Sequence, residues 1–165
     1  MLIASIIRPA APTDLRAIAE IYNEAVLTTD ATMDTEPRSD TDQKHWYDNH
    51  GENNPILVLE ADGRVVGWAS LSKWSDRCGY SGTSEISVYV KEEFRDKGFG
   101  KKLIDSSLKE AKKLNHHSVI ARITTTNGLS IRLHQGFGFE IIGTLKEVGY
   151  KFGKWLDVLI MQKNL

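Results

Sequence analysis

The sequence contains a single cysteine, Cys78, among its 165 residues, and a chain with one thiol cannot form an internal disulfide. An unpaired thiol suits a reducing compartment, so we expect a cytoplasmic protein. No stretch approaches the roughly 18 consecutive apolar residues that a membrane-spanning helix needs. The apolar start at 1–7 is short and lacks the basic residues of a signal peptide, and it is better interpreted as a first strand. We therefore expect no membrane partner.

The sequence also lacks an excess of charge of either sign. Lysine and arginine together number 21 against 22 aspartates and glutamates, which gives a net charge of -1. This balance argues against a general nucleic-acid-binding surface, although a local basic pocket is compatible with it. A hydrophobic content of 41% over 165 residues is enough to build one core, and we expect a single domain over residues 1–165.

Apolar runs with the composition of strands alternate with amphipathic segments along the chain. Strands are predicted at 3–8, 56–61, 65–71, 84–90, 118–124, 141–148 and 154–161, and helices at 14–26, 98–114 and 127–135, with a further short helix starting at Thr41 or Asp42. Asp62-Gly63 predicts a tight hairpin, and a turn is expected at 149–153. The pattern predicts an α/β (α+β) fold in which helices cover a mixed sheet.

The segment Arg95-Asp96-Lys97-Gly98-Phe99-Gly100-Lys101 joins a predicted strand to the longest predicted helix. Two glycines allow the backbone to approach a ligand, and the free amides of a helix N-terminus carry partial positive charge. A Rossmann fingerprint would need glycine at Leu103, and a Walker A loop would need a hydroxyl at Lys102. The segment therefore predicts a pyrophosphate site. A loop that binds nothing and a different nucleotide-binding module remain alternatives.

This arrangement of Arg95, Gly98 and Gly100 resembles the acetyl-CoA signature of the GNAT acetyltransferase superfamily. The late run 148–158, Val-Gly-Tyr-Lys-Phe-Gly-Lys-Trp-Leu-Asp-Val, is more specific and resembles the branch that acetylates phosphinothricin and methionine sulfoximine. Further similar stretches are Thr35-Glu36-Pro37, Ser87-Val88-Tyr89-Val90, Asn127, Leu133-His134 and Gly138-Phe139.

The resemblance implies a GNAT fold, with a mostly antiparallel sheet of about seven strands and about four helices. It also implies acetyl-CoA as co-substrate, no metal, a homodimer, and transfer to the α-amine of a small amino-acid-like molecule. The backbone of Val88, Tyr89 and Val90 would pair with the pantetheine arm, which Asn127 would also contact. The residues that would wrap the pyrophosphate are Asp96, Lys97, Gly98, Phe99, Gly100 and Lys101.

Acetyl transfer to an amine requires removal of a proton, because an alkyl ammonium with a pKa of about 10 has no lone pair at neutral pH. Glu85 is our candidate base, since the period of two puts it on one face of its strand with Ser87. His134 is our candidate acid for the leaving thiolate. The alternatives are a solvent-facing glutamate and a packing histidine. The remaining histidines lack partners at metal-ligand spacing, so no metal site is expected.

Two loops are expected to flank the acceptor. The predicted substrate-binding residues are Met33 and Glu36 on the first loop, Trp74, Arg77 and Tyr80 on the second, and Glu85 and Ser87 on the strand. Arg77 could hold a carboxylate through two hydrogen bonds. An acceptor amine on a peptide or protein is an alternative, although the balanced charge offers no acidic groove for a basic substrate. A non-catalytic CoA-binding sensor, which would not need Glu85, is another.

Overall fold

The computed structural model describes residues 4–165, which form seven strands and four α-helices. The strands are β1 (Ser5–Pro9), β2 (Ile56–Ala61), β3 (Arg64–Lys73), β4 (Thr83–Val90), β5 (Ser118–Thr124), β6 (Glu140–Lys151) and β7 (Lys154–Asn164). The helices are α1 (Leu15–Thr28), α2 (Asp40–Asp48), α3 (Phe99–Lys113) and α4 (Gly128–Gly136). Ile3, predicted to begin the first strand, lies outside the described residues.

All seven strands form one sheet in the order β1-β2-β3-β4-β5-β7-β6. Every neighbouring pair is antiparallel except β4 and β5, so the prediction of a mixed, mostly antiparallel sheet is confirmed. The parallel contact of β4 with β5 is short and ends at the pair Glu85 and Ile120. Beyond it β4 stays paired with β3 as far as Val90, whereas its edge towards β5 is open. The two central strands therefore separate into a cleft.

Alternating side chains of β2 and β3 pack against helices on opposite faces of the sheet. Val58 and Trp68 pack with Ile18 and Tyr22 of α1, whereas Leu59 packs with Leu103 of α3 and its neighbours. The apolar face predicted for α1 is buried, with the i, i+3, i+4 spacing of an amphipathic helix. Each fully buried aliphatic side chain contributes about 1.5–3 kcal/mol. Helices on both faces therefore fix the position of β3, the strand that pairs with β4.

Two predicted boundaries shift in the structure. The turn expected at 149–153 is only Phe152-Gly153, with φ of 51° and 74°, because two left-handed residues suffice to close an antiparallel hairpin. Helix α2 begins at Asp40 rather than Thr41, because Ser39 accepts a hydrogen bond from the Asp42 amide and Asp42 accepts one from the Ser39 amide. The Asp62-Gly63 hairpin is confirmed.

Within residues 4–165, no helix is long and apolar enough to cross a membrane. One hairpin of the described chain nevertheless exposes many large apolar side chains. It is the β6–β7 hairpin, at the edge of the sheet. We call these side chains the hairpin surface, and they are Ile141, Ile142, Leu145, Val148, Tyr150, Phe152 and Trp155.

Candidate active site

Two cavities meet where β4 and β5 separate. The strand cavity, with a volume of about 690 Å³, lies over β3, β4 and β5. The loop cavity, with a volume of about 590 Å³, lies between β4, the start of α3 and α4. Their common wall is formed by Ala31, Val88, Tyr89, Asn127, Ser130 and His134. Two molecules that filled these cavities would meet at this wall, which we call the junction.

The loop cavity is built around the N-terminus of α3, as the glycine pattern predicts. Of the residues predicted to wrap a pyrophosphate, all but Lys97 line it. Gly98 caps the helix with a φ of 77°, a left-handed conformation that favours glycine. Lys97 instead turns away, donating to the Glu93 carbonyl and lying over the Phe94 ring. The unpaired amides and positive dipole end of α3 suit an anionic group here.

The open edge of β4 continues this cavity towards the junction. Val88, Tyr89 and Val90 line it, and the edge of β4 that faces β5 has no strand partner from Ile86 onwards. An extended amide-bearing chain could pair there as an added strand. Asn127 also lines both cavities, and its Oδ1 caps α4 by accepting from the Ser130 amide at 3.2 Å. The cavity, the bare edge and the helix terminus together fit acetyl-CoA.

Glu85 lines the strand cavity and is held by an arginine from the neighbouring strand. Arg122 Nε donates to Glu85 Oε1 at 2.7 Å, and Arg122 Nη2 donates to Glu85 Oε2 at 2.9 Å. The Glu85 side chain is 18% exposed. These bonds hold the pKa of Arg122 above its usual range. The two bonds also fix the orientation of the Glu85 carboxylate in the cavity.

His134 lies at the junction and is buried. Its Nδ1 lies 2.8 Å from the Ser130 carbonyl oxygen, which can only accept a hydrogen bond, so Nδ1 carries the proton. Burial lowers the pKa of His134, an effect that this hydrogen bond opposes without cancelling. The ring is therefore neutral near neutral pH, with a lone pair on Nε2. A ring in this state accepts a proton at Nε2, and it can donate one from there only after it has been protonated.

The predicted acceptor-binding residues divide into two groups. Met33, Glu85 and Ser87 line the strand cavity, whereas Glu36, Trp74, Arg77 and Tyr80 do not. The loop after β3 runs along the surface, where Arg77 is exposed and Tyr80 is 48% exposed. Closeness in sequence to the ends of β3 and β4 therefore did not bring Trp74, Arg77 and Tyr80 to the cavity wall, and Glu36 on the first loop is exposed as well. Their contact with a substrate stays a prediction.

The loop that carries Met33 is fixed to the hairpin and to α1. A side chain at Gly149 would collide with Met33 Sδ, so the glycine of the late motif allows close packing. The buried Lys151 ammonium donates to the Thr32 carbonyl at 2.8 Å. The Tyr22 hydroxyl bonds to Thr32 and Asp34, and burial, followed by Asp34, raises its pKa to about 12. The late motif thus shapes the strand cavity through this loop.

Among the residues of the cavity wall that were not predicted as site residues are Tyr22, Arg38 and Arg122. Arg122 had a sequence signal, since it is the one charged residue in the strand Ser-Val-Ile-Ala-Arg-Ile-Thr. Tyr22 was expected only on the apolar face of α1. Arg38 lies in a polar loop, where nothing distinguishes it from other exposed arginines. Within residues 4–165, no three metal-ligating side chains cluster.

Comparisons with known proteins agree with this geometry. Residues 7–160 match the acetyltransferase (GNAT) domain family. The L-methionine sulfoximine/L-methionine sulfone acetyltransferase of Pseudomonas aeruginosa is 41% identical over 161 residues, covering 96% of this chain and 94% of the relative.

Two crystal structures are similar over almost the whole chain. The phosphinothricin acetyltransferase from Sinorhizobium meliloti, solved with acetyl-CoA, is 35% identical with a TM-score of 0.95, covering 100% of this chain and 89% of that one. The ribosomal-protein-alanine N-acetyltransferase from Brucella melitensis is 42% identical with a TM-score of 0.94, covering 97% and 99%. The chain therefore belongs to the GNAT acetyltransferase family.

Proposed function

We propose that this protein transfers the acetyl group of acetyl-CoA to the α-amine of a small amino-acid-like acceptor of the methionine sulfoximine or phosphinothricin type. The observation that carries this proposal is the junction, because it joins a cavity suited to a pyrophosphate-bearing chain to a second cavity of molecular size. The relatives that are named for these acceptors support the acceptor class.

In this proposal the loop cavity binds acetyl-CoA, which supplies the acetyl thioester. The start of α3 holds the pyrophosphate through Asp96, Gly98, Phe99, Gly100 and Lys101, all on the cavity wall. The open edge of β4, with Asn127 opposite, directs the thioester end to the junction. The acceptor occupies the strand cavity. Proximity is itself a large part of catalysis, because two held reactants avoid the entropy cost of a bimolecular step.

We assign the two predicted catalytic residues different roles from those expected from the sequence. Both oxygens of Glu85 accept hydrogen bonds from Arg122, and these bonds fix the carboxylate in the strand cavity. Glu85 is therefore suited to hold the acceptor ammonium by charge. His134 Nε2 is suited to take one of its protons. The freed amine then attacks the thioester carbonyl, the carbon–sulfur bond breaks, and the imidazolium returns that proton to the thiolate. The nitrogen loses a second proton to solvent, so each turnover gives the N-acetyl product, the free CoA thiol and one proton.

A second candidate acceptor is the N-terminal amine of a protein, which the name of the Brucella melitensis structure favours. The two acceptors differ in size and are easily separated by experiment. Release of free thiol from acetyl-CoA should be measured with L-methionine sulfone, L-methionine sulfoximine, phosphinothricin and an alanine-starting peptide. We expect the amino-acid analogues to give kcat/KM values at least tenfold above that of the peptide. A preference for the peptide would support the second candidate, and binding of acetyl-CoA without turnover would support a sensor.

We further propose that the protein is a homodimer joined through the hairpin surface. Seven large apolar side chains are exposed on this one hairpin. Monomeric proteins rarely expose so much apolar area in one region, and such regions mark interaction sites. Leu145 and Val148 belong both to this surface and to the wall of the strand cavity, so a partner would lie beside the acceptor. We also infer a cytoplasmic location, which the exposed, unpaired Cys78 supports.

A further inference from the structure

Arg38 is a cation in the wall of the strand cavity that has no anionic partner within residues 4–165. Its guanidinium carbon lies 4.0 Å from the centroid of the Tyr22 ring and 5.1 Å from that of Trp46. Its Nη1 is buried without a hydrogen-bond partner among these residues. A guanidinium cannot shed its charge, and burying it without an acceptor costs free energy. The site therefore favours an anion.

Both the backbone and the side chain of Arg38 are held in place. Its amide donates to Asn23 Oδ1 at 2.8 Å, and Asn23 Nδ2 donates to its carbonyl at 3.1 Å, so α1 holds the backbone. Stacking on Tyr22 and Trp46 holds the side chain. A charge that is already in place binds a ligand without paying for side-chain ordering. This distinguishes Arg38 from a surface arginine that happens to lie near an opening.

The other charged groups on this wall are already engaged. Glu85 and Arg122 bind each other, and Lys73 pairs with Asp76 at 3.4 Å. Asp34 accepts a hydrogen bond from the Tyr22 hydroxyl. Trp68, also on the wall, has a buried indole Nε1–H without an acceptor in the described chain. Both unsatisfied groups are hydrogen-bond donors, and the oxygens of a ligand could accept from them.

We propose that Arg38 binds an anionic or strongly polar oxygen group of the acceptor, and that it is the residue by which the strand cavity selects such acceptors. The inference rests on the proposed function and names the group that the cavity recognises. Arg38 acts in binding and moves no proton. The group could be the α-carboxylate or the oxygens at the end of the side chain. The assignment differs from the one expected from the sequence, which gave carboxylate binding to Arg77.

The test compares three acceptors with wild-type protein, Arg38→Met and Arg38→Lys. L-Methionine sulfone carries both oxygen groups, its α-carboxamide lacks the carboxylate, and L-norleucine lacks the sulfone. We expect Arg38→Met to raise KM for methionine sulfone about 10- to 100-fold with little change in kcat, because a hydrogen bond to a charged group is lost from ground and transition states alike. The analogue that lacks the group bound by Arg38 should show no added loss, which identifies that group. Arg38→Lys should be intermediate.

Two further variants sharpen the result. Arg77→Met tests the competing assignment, and Arg16→Met is the matched control, since that side chain is 90% exposed on α1 and lies outside both cavities. Thermal unfolding establishes that each variant is folded. Acceptor binding without acetyl-CoA, followed by tryptophan fluorescence, gives a second readout, because Trp46 and Trp68 line the cavity.

An unchanged KM in folded Arg38→Met, or equal increases for all three acceptors, would overturn the inference, the latter indicating a structural role. A selective loss in Arg77→Met alone would return the role to Arg77. If the wild-type protein neither binds nor acetylates any of the three acceptors, it is the proposed function that fails. If it acetylates them and Arg38 makes no difference, only the inference about Arg38 fails.

Discussion

Glu85 and Arg122 bridge the point where β4 and β5 separate, through two hydrogen bonds of 2.7 and 2.9 Å. Glu85 belongs to the last paired position of the two strands, and Arg122 lies two residues beyond its partner Ile120. The pair therefore closes the narrow end of the cleft and fixes one carboxylate in the wall of the strand cavity. This relationship bears on what Glu85 can do, because both of its oxygens already accept hydrogen bonds from Arg122.

Replacing Arg122 by glutamine removes the guanidinium that holds both oxygens of Glu85. The carboxylate should then lose its fixed orientation in the strand cavity, and its hold on the acceptor ammonium should weaken. We expect Arg122→Gln to raise the acceptor KM about tenfold and to change the KM for acetyl-CoA less. Steady-state kinetics with each substrate varied in turn measures this. An unchanged acceptor KM in the folded variant would show that Arg122 does not position Glu85.

Replacing Glu85 by glutamine distinguishes a carboxylate that binds the acceptor ammonium from one that removes its proton. If Glu85 holds the ammonium, Glu85→Gln should raise the acceptor KM and keep the acidic limb of kcat, which then belongs to His134. If Glu85 is the base, as expected from the sequence, kcat should fall about 10²–10⁴-fold and the limb should disappear. The pH profile of kcat with saturating acceptor decides between the two roles.

Replacing His134 by asparagine should remove the proton acceptor at the junction. Burial lowers the pKa of His134, so the acidic limb of the kcat profile should lie below the ordinary histidine pKa of about 6.5. Along this limb kcat should rise with pH as the ring loses its proton. His134→Asn should lower kcat about 10²–10⁴-fold and erase this limb. His117→Asn is the control, since His117 is exposed and lines neither cavity.

The protonation state of His134 can also be observed directly. Nitrogen NMR of the wild-type imidazole at neutral pH should show a protonated Nδ1 and a bare Nε2. A protonated Nε2 at that pH would instead favour the acid role that the sequence suggested.

Replacing Gly100 by valine should weaken acetyl-CoA binding. A Cβ at this position would lie 3.4 Å from Leu133 Cδ2, which is ordinary contact, so the added methyl groups must enter the loop cavity or press on Leu133. We expect Kd to rise about tenfold or more, equivalent to about 1.4 kcal/mol. Calorimetry measures the affinity. Gly51→Val is the control, because a Cβ there meets nothing within 4 Å. Equal affinity in folded Gly100→Val would remove the loop from the binding site.

Replacing Ile142 by glutamate should disrupt the proposed dimer. Ile142 is 58% exposed on the hairpin surface, and a charge buried between two copies would lack a partner. Analytical ultracentrifugation should give twice the mass of one chain for the wild type and the mass of one chain for Ile142→Glu. Leu27→Glu, which changes an equally exposed residue of α1, should stay dimeric. A monomeric wild-type protein would refute the proposal.

Local patterns were sufficient to predict the elements of this fold. The strand at 118–124 and the helix that starts after Gly98 follow from a short apolar run rich in β-branched residues and from a glycine cap, both short-range signals. The sequence could not predict the separation of β4 and β5, because it depends on which strands meet and how far they pair. The family resemblance, rather than any periodicity, supplied the open edge at Val88 to Val90.

The site was predicted less completely because it depends on contacts between distant segments. Glu85 was found from its strand, yet the partner that holds its carboxylate lies 37 residues away on β5. The Arg38 guanidinium lies over the rings of Tyr22 and Trp46, which come from two different helices. Arg77 was favoured by its position near β3 and β4, but its loop follows the surface. The charged and aromatic residues of a loop do not by themselves reveal whether their side chains face a cavity or the solvent.

The central claim, that an acetyl group passes from acetyl-CoA to an α-amine at the junction, is tested most directly by identifying the product. The protein should be incubated with acetyl-CoA labelled in the acetyl group and with L-methionine sulfone, and the mixture analysed by tandem mass spectrometry. We predict labelled N-acetyl-methionine sulfone, formed in equal amount to free CoA, and its strong reduction in His134→Asn. Tight binding of acetyl-CoA with no labelled product from any amino acid, or acetylation at a position other than the α-amine, would contradict the account.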